Sequence, residues 1–187
     1  MAERGKLILI TGGVRSGKSS YAGNLAAQIP GPVHFIATCV PVDEEMAARV
    51  SHHQQSRPRT WITVEESMDP ARIIAEEDGP QAVFILDCLT MLISNYLLLT
   101  EKRKSEAEIL ELVRDLTRIG YEAQGTVIIV SNEVGAGIVP ADPVSRTFRD
   151  LLGRANQIVA SQSDRVYLCV AGLPVDMKAL AEEKNLN

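Results

Sequence analysis

Cysteine is scarce and ill placed for cross-linking. The 187-residue chain carries only Cys39, Cys88 and Cys169, an odd number at wide spacings with no C-x-x-C pair. That excludes a disulfide framework or a cysteine-based zinc site as the organising device, and it suits a reducing compartment, so a cytoplasmic protein is expected. An excess of positive charge is missing too: 19 Lys and Arg stand against 24 Asp and Glu, a net charge of -5. Nucleic-acid binding by general phosphate neutralisation is therefore not expected, although a local basic pocket remains compatible with that balance. Long apolar runs are absent as well. The stretch before Gly12 is too brief for a secretory h-region or a membrane span. No internal repeat or low-complexity segment occurs.

What remains is an ordinary globular composition, 45% hydrophobic and 23% charged, with a length that one core supports; a single domain over residues 1–187 is expected. Short apolar, β-rich runs fall at 6–11, 33–37, 82–86, 126–131 and 165–170. They are nearly continuous rather than alternating, as parallel strands covered on both faces require. Helical patterns lie between them, at 18–28, 43–55, 70–77, 105–121 and 143–161. Asp69 and Pro70 stand as N-cap and N1 of the third. In the fourth, Ile109, Leu112, Val113, Leu116 and Ile119 form one stripe opposite Glu108, Glu111, Arg114 and Asp115. In the fifth, Phe148, Leu151, Leu152, Ala155, Ile158 and Val159 repeat the period. This alternation predicts an α/β fold, a mainly parallel sheet with helices on both faces joined by right-handed crossovers. The charged run at 101–108 reads as a solvated connection, and the tail after Met177 as surface, open to fraying.

The strongest chemical signal is Gly12-Gly13-Val14-Arg15-Ser16-Gly17-Lys18-Ser19, a full G-x-x-x-x-G-K-S pattern between an apolar strand and a helix. Glycines there let the backbone curl so that successive N–H groups face phosphate oxygens, and the following helix N-terminus adds partial positive charge. Lys18 would bridge the β and γ phosphates, and the Ser19 hydroxyl would ligate Mg²⁺. Such a site needs an acidic partner. The run Val83-Phe84-Ile85-Leu86-Asp87 supplies one at a strand end, where Asp87 either meets the metal or caps the next helix. Asn132-Glu133 follows another strand in the same way. Glu133 suits a base, a second polar contact or a turn.

A third constellation, residues 43–55, places His52 and His53 near a helix C-terminus, with Arg57 and Arg59 beyond. Histidine can attack phosphorus to form a phosphoramidate, and arginines can stabilise the charge that develops on the phosphate oxygens. Adjacent helical residues diverge by about 100°, so the two imidazoles cannot serve one phosphorus together. His53 shares a face with Met46 and Val50, and His52 lies nearer Ala48 and Arg49. Spacing favours His53 only slightly, and a plain interaction with the helix dipole is the competing role.

On these residues the chain resembles the bifunctional adenosylcobinamide kinase/adenosylcobinamide-phosphate guanylyltransferase family of cobalamin biosynthesis. The stretches ITGGVRSGKSSYA, FIATCVPVDEEMAARVSHHQQSRP, ILDCLTMLISN, VSNEVGAGIVP and FRDLLGRANQIVA carry it. The resemblance implies a RecA-like P-loop NTPase fold and a homo-oligomer, a trimer on the family pattern. It implies phosphorylation of adenosylcobinamide by ATP or GTP, then transfer of GMP from GTP through an enzyme histidine to give adenosylcobinamide-GDP. The guanylylated histidine falls on His53. The implied nucleotide contacts fall on Gly12, Gly13, Val14, Arg15, Ser16, Gly17, Lys18 and Ser19, on Cys39, Val40 and Pro41, on Gln54, Gln55, Ser56 and Arg57, and on Glu65 and Asp87. The implied metal contacts are Ser19 and Asp87; relatives can carry glutamate where this chain has Asp87, and either carboxylate can serve the ion. Two other readings compete. A P-loop kinase of another small metabolite would leave His53 without a chemical role. A GTP-dependent switch is disfavoured by the lack of an N-K-x-D element and of a D-x-x-G element after the second acidic strand.

Overall fold

The computed structural model describes residues 4–41, 43–44, 47–48, 50, 54, 57–99 and 104–184. Its strands are β1 (Leu7–Gly12), β2 (Val33–Ala37), β3 (Ile62–Glu65), β4 (Val83–Asp87), β5 (Thr126–Val130), β6 (Arg165–Val170) and β7 (Leu173–Asp176). Its helices are α1 (Lys18–Ala27), α2 (Pro70–Glu77), α3 (Leu89–Leu98), α4 (Glu106–Glu122), α5 (Pro143–Gln162) and α6 (Met177–Lys184). The strands form one seven-stranded sheet in the order β3-β2-β4-β5-β1-β6-β7. All neighbours are parallel except β6 and β7, which pair antiparallel at one edge.

The central strands are buried on both sides, which is why they read as unbroken apolar runs. Leu7, Leu9, Ile36, Phe84, Leu86, Val127 and Ile129 point to one face and pack with Ile73 and Ile74 of α2, Ile93 of α3, Val113 of α4 and Leu151 of α5. Ile8, Ile10, Phe35, Val83, Ile85, Ile128 and Val130 point to the other, under Ala22 and Ala26 of α1. Helices thus cover both faces, α2 to α5 on the first and α1 on the second. The expected stripes of α4 and α5 face the core, and Leu110 is buried beside the first.

Local chemistry fixes the helix starts. Asp69 accepts the Arg72 N–H at 3.2 Å ahead of Pro70. Ser105 and Glu108 form a capping box on α4, and Asp142 accepts the Ser145 N–H at 2.7 Å on α5. Frayed structure after Met177 is corrected for 177–184, which are helical. The Asp176 carboxylate accepts the N–H groups of Lys178 and Ala179 at 3.1 and 3.2 Å, and Lys178 Nζ donates to the Ser163 carbonyl, tying the turn down. Within the predicted helix at 43–55, the described positions Glu44, Ala47, Ala48, Val50 and Gln54 are helical. His52, His53, Gln55 and Ser56 lie outside the described residues.

Candidate active site

All six parallel strands end at the same edge of the sheet, and the motif residues collect there. β1 runs into the loop at Gly12, whose φ of 150° and tight packing both demand glycine: a Cβ would lie 2.3 Å from the Cys169 carbonyl oxygen. Arg15 (φ 55°) and Gly17 (φ 95°) give the loop its curl. The β6–β7 turn braces it from behind, with Gly172 N–H donating to Ser16 O at 3.0 Å. Ser16 and Lys18 are buried, whereas Gly13, Val14 and Arg15 are exposed along the outer rim of the loop. Ser19 is half-buried in the first turn of α1.

The Lys18 ammonium donates to the Gly13 carbonyl at 2.6 Å and lies 3.5 Å from Ser16 Oγ. Burial pulls it below the ordinary lysine range, while Cys88, Cys169 and Asp87 oppose that shift. Asp87 is the last residue of β4, in register with Ala37 of β2 and Val130 of β5. It is not the cap of the next helix, since the N-cap of α3 is Cys88. Its charge is felt by Lys18, Cys39 and Arg57 alike, so the P-loop lysine, the loop after β2 and the segment before β3 share the field of one carboxylate. Burial, with Asp87 second, pushes the half-buried Cys39 thiol up. Val40 and Pro41 continue that loop, half-buried and exposed respectively.

Arg57 sits over the Phe35 ring, 3.6 Å from its centroid, and Phe35 stacks in turn on Trp61 at 6.3 Å. Burial pulls the guanidinium down, opposed by Asp87 and Glu65. Its Nη1 is buried with no hydrogen-bond partner among the described residues, a donor held ready for an acceptor. Gln54 Nε2 donates to Glu65 Oε1 at 3.0 Å. Of the predicted set, the structure gathers Lys18, Cys39, Arg57 and Asp87, and links Glu65 to Arg57 and Gln54.

A polar layer beneath this edge escaped the sequence reading. Thr38, fully buried, donates to Cys88 O and accepts from Cys88 N, each at 2.8 Å, locking the ends of β2 and β4. Asn95 donates to Thr38 O at 2.8 Å and to Ser67 O at 3.0 Å. Ser131 bonds Asn156, which donates to Asn132 O, while Asn132 N–H reaches Thr90 Oγ1. The available signal was a polar residue set into an apolar run, as Asn95 is in LTMLISNYLL. Glu133 is exposed; its N–H donates to Gly12 O at 2.9 Å, and its carboxylate accepts the Gly135 N–H at 2.6 Å. The turn-forming role is the one displayed.

Residues 8–177 match the family described as cobinamide kinase/cobinamide phosphate guanyltransferase. Among curated proteins, the bifunctional adenosylcobalamin biosynthesis protein CobU of Escherichia coli strain K12 is 37% identical over 181 residues, 92% of this chain and 99% of that protein. The corresponding CobP of Pseudomonas aeruginosa PAO1 is 38% identical over 170 residues, 91% of this chain and 96% of that protein. Among solved structures, the assembled ATPase EscN of the enteropathogenic E. coli type III secretion system aligns with a TM-score of 0.58 at 14% identity, covering 96% of this chain and 45% of that one. At that identity the likeness speaks for the fold alone, which is RecA-like.

Proposed function

The chain belongs to the cobinamide kinase/cobinamide phosphate guanyltransferase family, and from that premise we propose that it carries out both reactions at the sheet edge described above. In the first, the hydroxyl of the aminopropanol arm of adenosylcobinamide takes the γ-phosphoryl group of ATP or GTP. In the second, an imidazole nitrogen of His53 bonds to the α-phosphorus of GTP as the α–β P–O bond breaks and pyrophosphate leaves. A phosphate oxygen of the phosphorylated acceptor then displaces the imidazole, giving adenosylcobinamide-GDP and free histidine.

The observation that carries this reading is that Lys18, on the loop that opens α1, and Arg57 both feel the Asp87 carboxylate, with a buried Arg57 Nη1 left for an acceptor. Residues 12–19 would wrap the triphosphate with backbone N–H groups. Lys18 would exchange the Gly13 carbonyl for phosphate oxygens, and the spare Nη1 of Arg57 would meet a third set. Cys39, Val40, Pro41, Gln54, Gln55, Ser56 and Glu65 would complete the nucleotide contacts. Mg²⁺ would be held by Ser19 and Asp87, where it offsets phosphate charge. Among the described residues no group of three or more His, Cys, Asp or Glu side chains gathers. That fits an ion which keeps its waters and shares substrate phosphates instead of occupying an all-protein cage. His53 is assigned the nucleophile's part on the family resemblance; its sequence neighbour Gln54 bonds Glu65 at the end of β3. We place these activities on a single nucleotide-binding domain of a cytoplasmic homo-oligomer, a trimer on the family pattern. No helix among the described residues is long and apolar enough to cross a membrane.

Incubation with GTP radiolabelled at the α-phosphate, with Mg²⁺, tests the proposal. The protein should acquire an acid-labile, alkali-stable label and a mass increment of one GMP on the peptide containing His52 and His53. His53→Ala should lose the label while keeping part of the kinase step. Corrinoid phosphorylation with no covalent label would leave a plain kinase.

A further inference from the structure

An open groove of about 400 Å³ lies against α5, lined by Gly135, Arg149, Asp150, Gly153, Arg154 and Gln157. From its position and chemistry we infer that it seats the carboxamide-bearing edge of the acceptor corrinoid; the inference rests on the function proposed above. The position comes first. Gly135 N–H is held by the Glu133 carboxylate at 2.6 Å, and Glu133 N–H is held by the Gly12 carbonyl at 2.9 Å. One wall of the groove is thus two short hydrogen bonds from the first glycine of the phosphate loop, within reach of a ligand whose reactive arm must arrive there.

The lining chemistry selects a class of ligand. Arg149 and Arg154 donate, Asp150 accepts, and Gln157 does both. Arg149 Nε lies 3.6 Å from Asp150 Oδ1, beyond hydrogen-bond reach, and Arg154 holds Glu106 only at 3.5 Å. These heads are therefore loosely committed. A phosphate would suit the arginines but meet repulsion from Asp150. A primary carboxamide offers one carbonyl acceptor and an NH₂ with two donors, and it matches both kinds of group. Cobinamides carry several such amides around a macrocycle. A groove of this volume takes an edge of that ring and leaves the hydroxyl arm free.

Helix-interior glycine adds a separate observation. Glycine is a poor residue for that position, so each instance calls for a reason. Gly120 of α4 has one: a Cβ there would press on Leu7 Cδ1 at 3.2 Å and Val127 Cγ1 at 3.4 Å. At Gly23 of α1 a Cβ would meet Trp61 at 3.5 Å, an ordinary contact distance. A Cβ on Gly153, mid-way along α5, would meet nothing within 4 Å among the described residues, and no described neighbour requires glycine there. It lies four residues from both Arg149 and Gln157, one flat step in a helical row. A wall kept bare there is explained by a ligand lying against it. Ile138 and Val139, 97% and 59% exposed, follow Gly135 in the same loop and offer aliphatic surface to a macrocycle.

The test separates acceptor handling from nucleotide handling. Gly153→Leu and Arg149→Gln should each raise KM for adenosylcobinamide by about tenfold or more. The rate at which GTP alone labels the enzyme should stay within about twofold of the parent chain. If Gly153→Leu lowers labelling as well, Arg149→Gln and Gln157→Ala decide the matter. Unchanged acceptor KM in those variants overturns the groove assignment and leaves the proposed function standing. An unmodified chain that neither takes label from GTP nor turns over any corrinoid overturns both.

Discussion

Replacing Lys18 with methionine should disable the enzyme without weakening the empty fold, and the structure gives the size of each effect. Lys18 as a whole residue is 8% exposed, and its ammonium makes a short bond to the Gly13 carbonyl at 2.6 Å. A charge-assisted bond of that kind returns about 1.5–3 kcal/mol. Desolvating an ammonium costs several kcal/mol, so the two nearly cancel in the absence of nucleotide. Gly13 is exposed, and its carbonyl is hydrated once the lysine is gone. Methionine fills the same channel without a charge. Stability of the apo protein should therefore change by no more than about 1 kcal/mol, toward gain. The pH dependence follows with a definite sign. Burial holds the folded pKa below the ordinary 10.5, so between those values the unfolded chain binds more protons. Parent stability then rises with pH through that window, and the variant should lack the rise.

Urea unfolding at neutral and alkaline pH reads the first part, with an unchanged m-value marking a purely energetic effect. The rates of GMP labelling and of corrinoid phosphorylation read the second. Both should fall about 10²–10³-fold, the loss typical of a preorganised donor to a transferring phosphoryl group. A variant that unfolds more than about 2 kcal/mol more easily would make Lys18 a structural strut. Normal labelling in a stable variant would refute a triphosphate cradle shared by the two reactions.

Two further substitutions probe the frame around the site. Gly12→Ala should cost at least about 3 kcal/mol in urea unfolding, because its φ of 150° and the Cys169 carbonyl at 2.3 Å oppose a Cβ together. Gly13→Ala, where a Cβ meets nothing within 4 Å among the described residues, should stay within about 0.5 kcal/mol. Asp164 accepts the Leu7 N–H at 2.8 Å and pairs with Arg4 at 2.6 Å, and the guanidinium holds its carboxyl below the ordinary 3.8. That stability is present above the ordinary value and lost as pH falls through the lower folded one. Asp164→Asn should cost about 1 kcal/mol at neutral pH after allowance for solvent screening, and flatten the acid limb of a stability–pH curve.

The parts of the fold that could be read in advance are those whose burial is extreme. β1, β2, β4 and β5 are apolar because both faces are covered, β6 keeps an apolar run though only Val166 and Cys169 are buried, and α4 and α5 show a stripe because one face is covered. β3 left no such trace: ITVE is a four-residue edge strand, largely exposed. β7 holds Pro174, tolerated at an antiparallel edge and discouraging as a strand signal. α3 buries Leu89, Leu92, Ile93 and Tyr96 and is apolar nearly all round, so no period marks it. The site divides likewise. The loop at 12–19 and Asp87 are local patterns at strand ends. The meeting of Arg57 and Glu65 with Asp87 depends on which strands pair, and no spacing in the chain encodes that.

Strand order also explains why this edge suits the proposed nucleotide. β5 lies between β1 and β4, so the phosphate loop and Asp87 leave the sheet two strand spacings apart, about 10 Å. A single side chain cannot bridge that distance, but a triphosphate with its cation can. The strand between them must therefore end without blocking the gap. β5 meets this condition through its polar exit: Ser131 and Asn132 turn down onto Asn156 and Thr90, and Glu133 binds Gly12 through its backbone while its carboxylate folds back on Gly135. The same turn runs from its bond with Gly12 to Gly135, which lines the groove against α5. On the proposed function, donor and acceptor would then lie on the two sides of this one turn.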